Sequence, residues 1–424
     1  MQLIIHRGTH EIGGNCIEVR SRQTKILLDF GLPLDFATRT PEEQEHIRQE
    51  AIEWARDTDA IFISHCHADH YGLLSALPHP LLTYATTGTI TMIRAISTLS
   101  GQAHAEYLKY LQPLPRQKEN RPFEPLCIGD IRITSYTVDH SAYDACAFLI
   151  EAEGRRLLYS GDLRLHGVKK SLYRQLPKRV DCLLLEGTHL ANDTTYPTET
   201  QIAARLKRQF RAEGDKLHYV WCSNQNIDRI VQLYKAARAS SRKLIVDTYT
   251  AFILEKIHDL NPAIPSPLSP FHGDDVFRYF RLNKFIRRLE ESGELKMIER
   301  LQELPTVEPA DIGRHPERYV WMIRPSMLPY MQKFIRIPCV VVTSTWEGYE
   351  QEHPEWISWI AEHGFPNPHI HTSGHADTGS LKRIIRHVKP AQVIPIHTSC
   401  PESISTLCPH TKVRLPLDNE PIEW

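Results

Sequence analysis

The stretch IFISHCHADHYG, Ile61 to Gly72, decides how the rest of the chain is read. Its first residues form a short apolar run of strand type, and it then delivers His65, His67, Asp69 and His70 within six positions. At the end of a strand, residues two apart face the same side. His65 and His67 can therefore address one metal ion, while the turn that follows brings Asp69 and His70 toward a second. Imidazoles and a carboxylate crowded together cost free energy when buried without partners, so packing alone is a poor explanation for the cluster.

Working outward, the chain up to about residue 188 reads as short β runs broken by Gly and Asp: QLIIH, NCIEVR, TKILLDFG, LLTYAT, IRITSYTV, CAFLIEA, RRLLYSG and VDCLLLEG. Alternation and continuous β-branched runs predict strands, many of them sheet on sheet. Helices are expected over Pro41–Ala55 and Gly88–Ser97. From Thr198 the rhythm changes to helix and strand in turn, through TETQIAARLKRQFRAEG, KLHYVWCS, NIDRIVQLYKAARASS, KLIVDTY and AFILEKIHDL. That rhythm predicts a parallel sheet with crossover helices. A polar, Pro-rich passage from Asn261 to about Pro316 holds one charged helix, FIRRLEESGELKMIERLQEL, before strands resume at YVWMIRP and CVVVTS. Beyond residue 365, β character is expected in HIHTSGHAD, then a helix GSLKRIIRHV and a strand AQVIPIH. The layout is a β-rich domain interrupted by an α/β insert, with divisions at 1–190, 191–350 and 351–424.

Composition is that of an ordinary globular protein of 424 residues. Nine cysteines are scattered without a CxxC pair, which argues against a disulfide framework or a thiolate zinc site. The formal charge of −1 gives no global electrostatic case for a nucleic-acid partner. The N-terminus lacks a basic segment followed by a long apolar one, and no apolar run approaches the roughly 20 residues needed to span a bilayer. A cytoplasmic location without membrane attachment is the expectation.

HxHxDH is the hallmark of the metallo-β-lactamase superfamily, and the remaining motifs follow in that family's order. ILLDFG supplies Asp29, TVDHS supplies His140 and YSGDLR supplies Asp162. The resemblance implies an αββα sandwich in which His65, His67 and His140 hold one metal, Asp69 and His70 the other, and Asp162 bridges them. Asp29 is implied as the aspartate that orients the ligands. Two zinc ions are the implied cofactors, with manganese as the alternative where oxygen ligands dominate. Such a pair can lower the pKa of a shared water toward neutrality and clamp a phosphate or carbonyl oxygen.

Three later segments resemble the β-CASP branch, the ribonuclease J and cleavage-factor-like nucleases with an inserted α/β domain: LLLEGTH with Glu186, SGHAD with His375, and IPIHTS with His397. The resemblance implies a metal-dependent ribonuclease, a hydrolase cleaving single-stranded RNA by a metal-activated hydroxide. Asp69, His375 and Glu186 are the implied catalytic residues. His375 is the expected general acid, its pKa raised by Glu186, and His397 a further ligand of the second metal. A histidine at the third motif resembles the RNA-processing members rather than the DNA-repair members. Arg229, Arg324 and Ser326 are expected to hold backbone phosphates. Bacterial ribonuclease J carries a further C-terminal domain and a serine after HA, where this chain ends soon after the third motif and has Asp377; that carboxylate is expected to disfavour a 5′-phosphate. RNA is the expected partner ahead of DNA, and a homodimer is an admissible state. The alternatives are a DNA nuclease, a small-molecule phosphodiesterase or ester hydrolase of the same superfamily, and a non-catalytic subunit of an RNA-processing complex.

Overall fold

The computed structural model describes residues 1–115, 124–269 and 275–423 and contains nineteen strands. They are β1 Gln2–Arg7, β2 Cys16–Arg20, β3 Lys25–Leu28, β4 Ala60–Phe62, β5 Thr83–Ala85, β6 Leu111–Pro113, β7 Leu126–Ile128, β8 Ile131–Thr137, β9 Cys146–Ala152 and β10 Arg155–Tyr159. Then come β11 Cys182–Glu186, β12 Leu217–Trp221, β13 Lys243–Asp247, β14 Phe277–Phe280, β15 Tyr319–Ile323, β16 Cys339–Thr343, β17 Gln392–Ile396, β18 Lys412–Val413 and β19 Pro421–Glu423. The chain divides into two compact units. The first contains Met1–Ile93, Ala105–Thr195 and Gly374–Trp424, and the second Arg94–His104 and Tyr196–Ser373. The insert therefore opens close to the expected position but runs on through residues 351–373.

In the first unit two mixed sheets face each other, ordered β19-β1-β2-β3-β4-β5-β6 and β18-β17-β11-β10-β9-β8-β7. Leu3, Ile5, Val19, Ile26, Leu28 and Phe62 from one meet Ile133, Phe148, Ile150, Leu157, Leu184 and Ile394 from the other in a shared core. On the second sheet, Leu149, Leu158, Leu183, Leu185 and Val393 point the opposite way, onto Leu381, Ile384, Ile385 and Val388 of the helix Thr378–Val388. Both faces of β11 and β17 are thus buried, which is why they read as unbroken apolar runs rather than alternating ones. The helix Pro41–Ala55 forms where expected. Thr40 accepts from Glu43 N, the Glu43 side chain reaches back to Thr40 N, and Ile47, Ala51 and Trp54 are buried at helical spacing. Trp54 stacks on His6 of β1, with ring centroids 5.1 Å apart.

The pairing directions place the chemistry. β3 and β4 are parallel, as are β10, β11 and β17, and β8 and β10 each run antiparallel to β9. The carboxyl ends of β3 and β4 therefore share one edge of their sheet, and those of β8, β10, β11 and β17 one edge of theirs. Every metal ligand expected from the sequence lies at or beyond one of these ends, whereas His375 stands just ahead of the helix Thr378–Val388.

The second unit is a five-stranded sheet ordered β14-β13-β15-β12-β16, with all its pairings parallel. Helices Glu199–Ala212, Ile227–Arg238 and Thr248–Leu260 alternate with its strands as the sequence rhythm predicts. Three local expectations are corrected. The charged helix is two, Asn283–Glu291 and Leu295–Gln302, because Gly293 adopts φ +79°, a left-handed cap that ends the first. β14 is a strand within a passage expected to be irregular. HIHTSGHAD contributes only an isolated bridge between His369 and Thr343, since its residues serve the sites described next rather than a ladder.

Candidate metal centre

Three imidazole nitrogens converge in the first unit. His67 Nδ1 lies 3.0 Å from His65 Nε2 and 3.3 Å from His140 Nε2. Tetrahedral ligands at a Zn–N distance of roughly 2.0–2.1 Å stand about 3.3 Å apart, so this spacing suits three ligands of one ion. A second set gathers around Asp162 Oδ2, with His70 Nε2 at 3.1 Å and His397 Nε2 at 3.8 Å. Asp69 Oδ2 is 3.6 Å from His70 Nε2 and 3.9 Å from His397 Nε2. Asp162 Oδ2 also stands 3.7 Å from His65 Nε2, so one carboxylate borders both sets.

The outer atoms of these rings are already committed. His140 Nδ1 donates to Gly374 O at 2.7 Å and His70 Nδ1 to Asp29 Oδ2 at 2.7 Å, which leaves each Nε2 directed inward. Asp29 also accepts from Ser64 N at 2.6 Å, from Ser64 Oγ at 2.7 Å and from Tyr159 OH. Ser64 Oγ in turn is 3.0 Å from His65 Nδ1. His397 Nδ1 lies 3.2 Å from Asn15 Oδ1 and 3.3 Å from Gly13 N. Asp29 and His397 both hold positive φ, +56° and +53°. Such a conformation costs a residue with a side chain on the order of 1–3 kcal/mol and persists where the surroundings fix it. His397 is fixed by its N–H on Gly8 O at 2.7 Å. Gly31 makes a further close approach possible: a Cβ there would lie 1.7 Å from Asp69 O.

The protonation states follow from burial and neighbouring charge. Burial, reinforced by adjacent imidazoles, pushes His65 and His140 well below the ordinary histidine range, and burial lowers His67 as well. For His70, burial is outweighed by Asp162, Asp69 and Asp29, which raise it. Burial raises Asp162, but His397, His70 and His375 hold it well below the usual carboxylate range. Neutral His65, His67 and His140 beside an ionised Asp162 are in the forms that bind metal, whereas His70 must give up a proton to do so. Asp162 Oδ1 is buried without a hydrogen-bond partner among the described residues, and His70 Nε2 faces only the carboxylates of Asp162 and Asp69, an excess of acceptors that a cation would satisfy. The residues present fit divalent metal.

His375 and Glu186 are brought to the same place, but not as expected. Glu186 is fully buried and spends its oxygens on backbone, accepting from Ala376 N at 2.8 Å and Thr188 N at 3.0 Å. Burial and then Asp162 raise its own pKa. His375 Nδ1 is 3.8 Å from Glu186 Oε2, and its hydrogen bond goes instead to Thr188 Oγ1 at 3.1 Å. Burial pulls His375 well below the ordinary range, so the expected elevation by Glu186 is reversed. Glu186 ties the backbone of Ala376, next to the histidine, to that of Thr188, whose hydroxyl meets the ring. Asp377, next in the motif, caps the helix Thr378–Val388 by accepting from Ser380 N at 2.6 Å. Ser64, Tyr159, Asn15 and Thr188 were not anticipated. Ser64 adjoins the motif and could have been suspected; the others have no spacing signature.

The three residues expected to hold phosphates belong to the second unit. Arg229 is fully buried and unavailable. Its Nε and Nη2 donate to the two oxygens of Glu199 at 3.0 and 3.1 Å, and Nη1 donates to Ser344 O at 3.1 Å. A guanidinium shut off from water must be paired in this way. Arg324 is 19% exposed and Ser326 is exposed on the short turn after β15.

Comparison with known proteins agrees with this geometry. The Beta-lactamase superfamily domain matches residues 24–218, and the Zn-dependent metallo-hydrolase RNA specificity domain matches residues 368–406. Ribonuclease J of Sinorhizobium meliloti is 22% identical over 361 residues, covering 81% of this chain and 58% of its own length. Cleavage and polyadenylation specificity factor 73 of Drosophila melanogaster is 22% identical over 426 residues, covering 91% of this chain and 58% of its own. The chain thus spans little more than half the length of these relatives. A crystal structure of a protein of unknown function from Enterococcus faecalis V583 shares the fold, with TM-score 0.73 at 18% identity and 99% of both chains covered. One matched domain holds the HxHxDH ladder, the other holds His375 and His397, and most of the α/β unit lies between them, an arrangement similar to that of the β-CASP branch of the metallo-β-lactamase superfamily.

Proposed function

We propose that this chain hydrolyses phosphodiester bonds of single-stranded RNA with two divalent metal ions, for which zinc best suits so imidazole-rich a donor set. The observation that carries the reading is the pair of converging ligand sets that share Asp162. On this reading His65, His67 and His140 hold one ion, Asp69, His70 and His397 the other, and Asp162 serves both. When bound, the ions supply Lewis acidity toward a phosphate oxygen and a water acidic near neutrality.

The chain's own groups do the rest. Asp69, with its side chain 14% exposed, accepts the proton that the attacking water gives up. His375, 21% exposed and held by Thr188, passes a proton to the leaving oxygen once a bound phosphate's negative charge offsets the burial that otherwise keeps it neutral. Glu186 keeps the loops of His375 and Thr188 in register through Ala376 N and Thr188 N. The RNA assignment is supported by the names of the relatives, a ribonuclease among them, and by the RNA specificity domain that contains His375 and His397.

The test is cleavage of 5′-monophosphate, 5′-triphosphate and circular RNA by metal-loaded protein. Single-stranded RNA is expected to be cut, and His67→Ala to reduce the rate by roughly 10²–10³ or more with an unchanged circular-dichroism spectrum. A folded His67→Ala protein as active as the wild type would overturn the metal mechanism, and faster cleavage of single-stranded DNA would overturn the RNA assignment. Opening of the circle would assign an endonuclease.

A further inference from the structure

The second unit has a cavity of its own. It has a volume of about 300 Å³ and lies beyond the carboxyl ends of its parallel strands, where open α/β sheets bind ligands. Each of four strands contributes to its lining: Trp221, Asn224 and Gln225 at and after β12, Tyr249 after β13, Arg324 after β15 and Tyr349 after β16.

Its chemistry is that of an aromatic platform with a cation at one side. Tyr349 and the adjoining Trp346 are 48% and 53% exposed, an apolar area that water leaves unrewarded. Tyr249 is steadied by Gln225 Nε2, which donates to its OH at 3.3 Å, and by the edge of Phe285 at 5.3 Å. The Arg324 guanidinium lies over both rings, 5.4 Å from the Tyr249 centroid and 5.1 Å from that of Phe285. One side of it is paired to Asp247, while Nη1 is buried with no hydrogen-bond partner among the described residues. A purely structural arginine, such as Arg229, has its donors used up. Exposed Arg281, Lys284 and Arg287 extend the positive charge from Phe285 along the helix Asn283–Glu291. On the other side Glu347 and Glu352 are exposed near Tyr349, while Glu350 lies 3.6 Å from His369 and Glu355 3.1 Å from His353.

We infer that this cavity binds one nucleotide of single-stranded RNA, its base stacked on the exposed rings and its phosphate held by Arg324. Stacking on aromatic faces combined with a cationic track is how single strands are held without sequence preference. The cavity volume is at the small end of the range for ligand sites, room for one ring system with its phosphate. The choice of RNA as the polymer rests on the proposed function; a free nucleotide offers the same chemistry and is separated by the experiment.

Fluorescence anisotropy of a labelled oligoadenylate of roughly ten nucleotides, with EDTA present so that nothing is cut, reads this site directly. Tyr349→Ala, at an exposed position, is expected to raise Kd by roughly 5- to 100-fold. Arg324→Lys keeps the pair with Asp247 but removes the second N–H, and is expected to raise Kd severalfold. Adenosine monophosphate is expected to bind more weakly than the oligomer and to lose affinity in the same variants. Wild-type affinity in both variants, or equal affinity for monophosphate and oligomer, would overturn the inference. RNA cleavage by the metal-loaded protein is scored separately. Cleavage with unaltered binding in the variants removes only this site, and variant-sensitive binding without cleavage removes only the hydrolase reading.

Discussion

Two buried ionic clusters, one in each unit, look alike in sequence and differ in what they leave over. In the second unit Glu199 and Arg229 close on each other and on Ser344, so every strong donor and acceptor is spent inside the cluster. In the first, Asp29, Ser64 and Tyr159 satisfy the outer atoms of the histidines, and the inner atoms of His65, His67, His70, His140 and Asp162 are left pointing at one another. Both clusters are nearly inaccessible to water, so burial does not tell them apart. Uncommitted valence does: a closed cluster holds the fold, and an open one holds something else.

The largest effect should come from opening the closed cluster. Arg229→Ala leaves Glu199 ionised and buried without its partner, and is expected to cost about 3–5 kcal/mol in urea unfolding while zinc content stays at the wild-type level. Loss of metal without loss of stability in that variant would erase the distinction.

A second closed cluster gives a pH test. Glu18 accepts from His6 at 3.1 Å and pairs with Lys25 at 2.9 Å and with Arg20. Lys25 also donates to Trp54 O and Arg56 O, so no valence is left open here either. Burial alone would raise Glu18, but the hydrogen bonds from His6, Arg20 and Lys25 hold it down at about 2. A carboxylate lowered on folding stabilises the protein above its unfolded pKa of about 4.5, and that contribution fades as the pH falls toward 2. Its full size is on the order of 3 kcal/mol. Glu18→Gln should therefore cost most of that at pH 7 and almost nothing at pH 2; an equal cost at both would mean that Glu18 acts by packing.

The smallest effect sharpens the open side. Asp29→Ala removes a partner of His70 without removing a ligand, and is expected to weaken zinc binding by roughly 10- to 100-fold, read by competition with a chelating dye. Unchanged affinity would mean that His70 is oriented by packing alone.

Much of this was legible in the sequence because ligand chemistry is local at strand ends. HxHxDH, Asp162 and His397 each follow an apolar run, and the helix Pro41–Ala55 announces itself through Thr40, Pro41 and Glu43. The role of Arg229 is not legible in the sequence because it is set by Glu199, thirty positions earlier, and residue type does not reveal a partner. Thr188 and Tyr159 carry no sequence signal for the same reason: a hydroxyl becomes meaningful only when the fold puts a histidine or an aspartate against it. The two-residue β18 and three-residue β19 are too short to carry a periodic pattern, and their pairing depends on β17 and β1 being in place.

The central claim is that the open cluster takes two ions with Asp162 between them. Titrating metal-stripped protein with zinc and measuring the stoichiometry by calorimetry tests it most directly. Two ions per chain are predicted for the wild type and one for His397→Ala; a single ion in the wild type, or two retained without His397, would contradict the account.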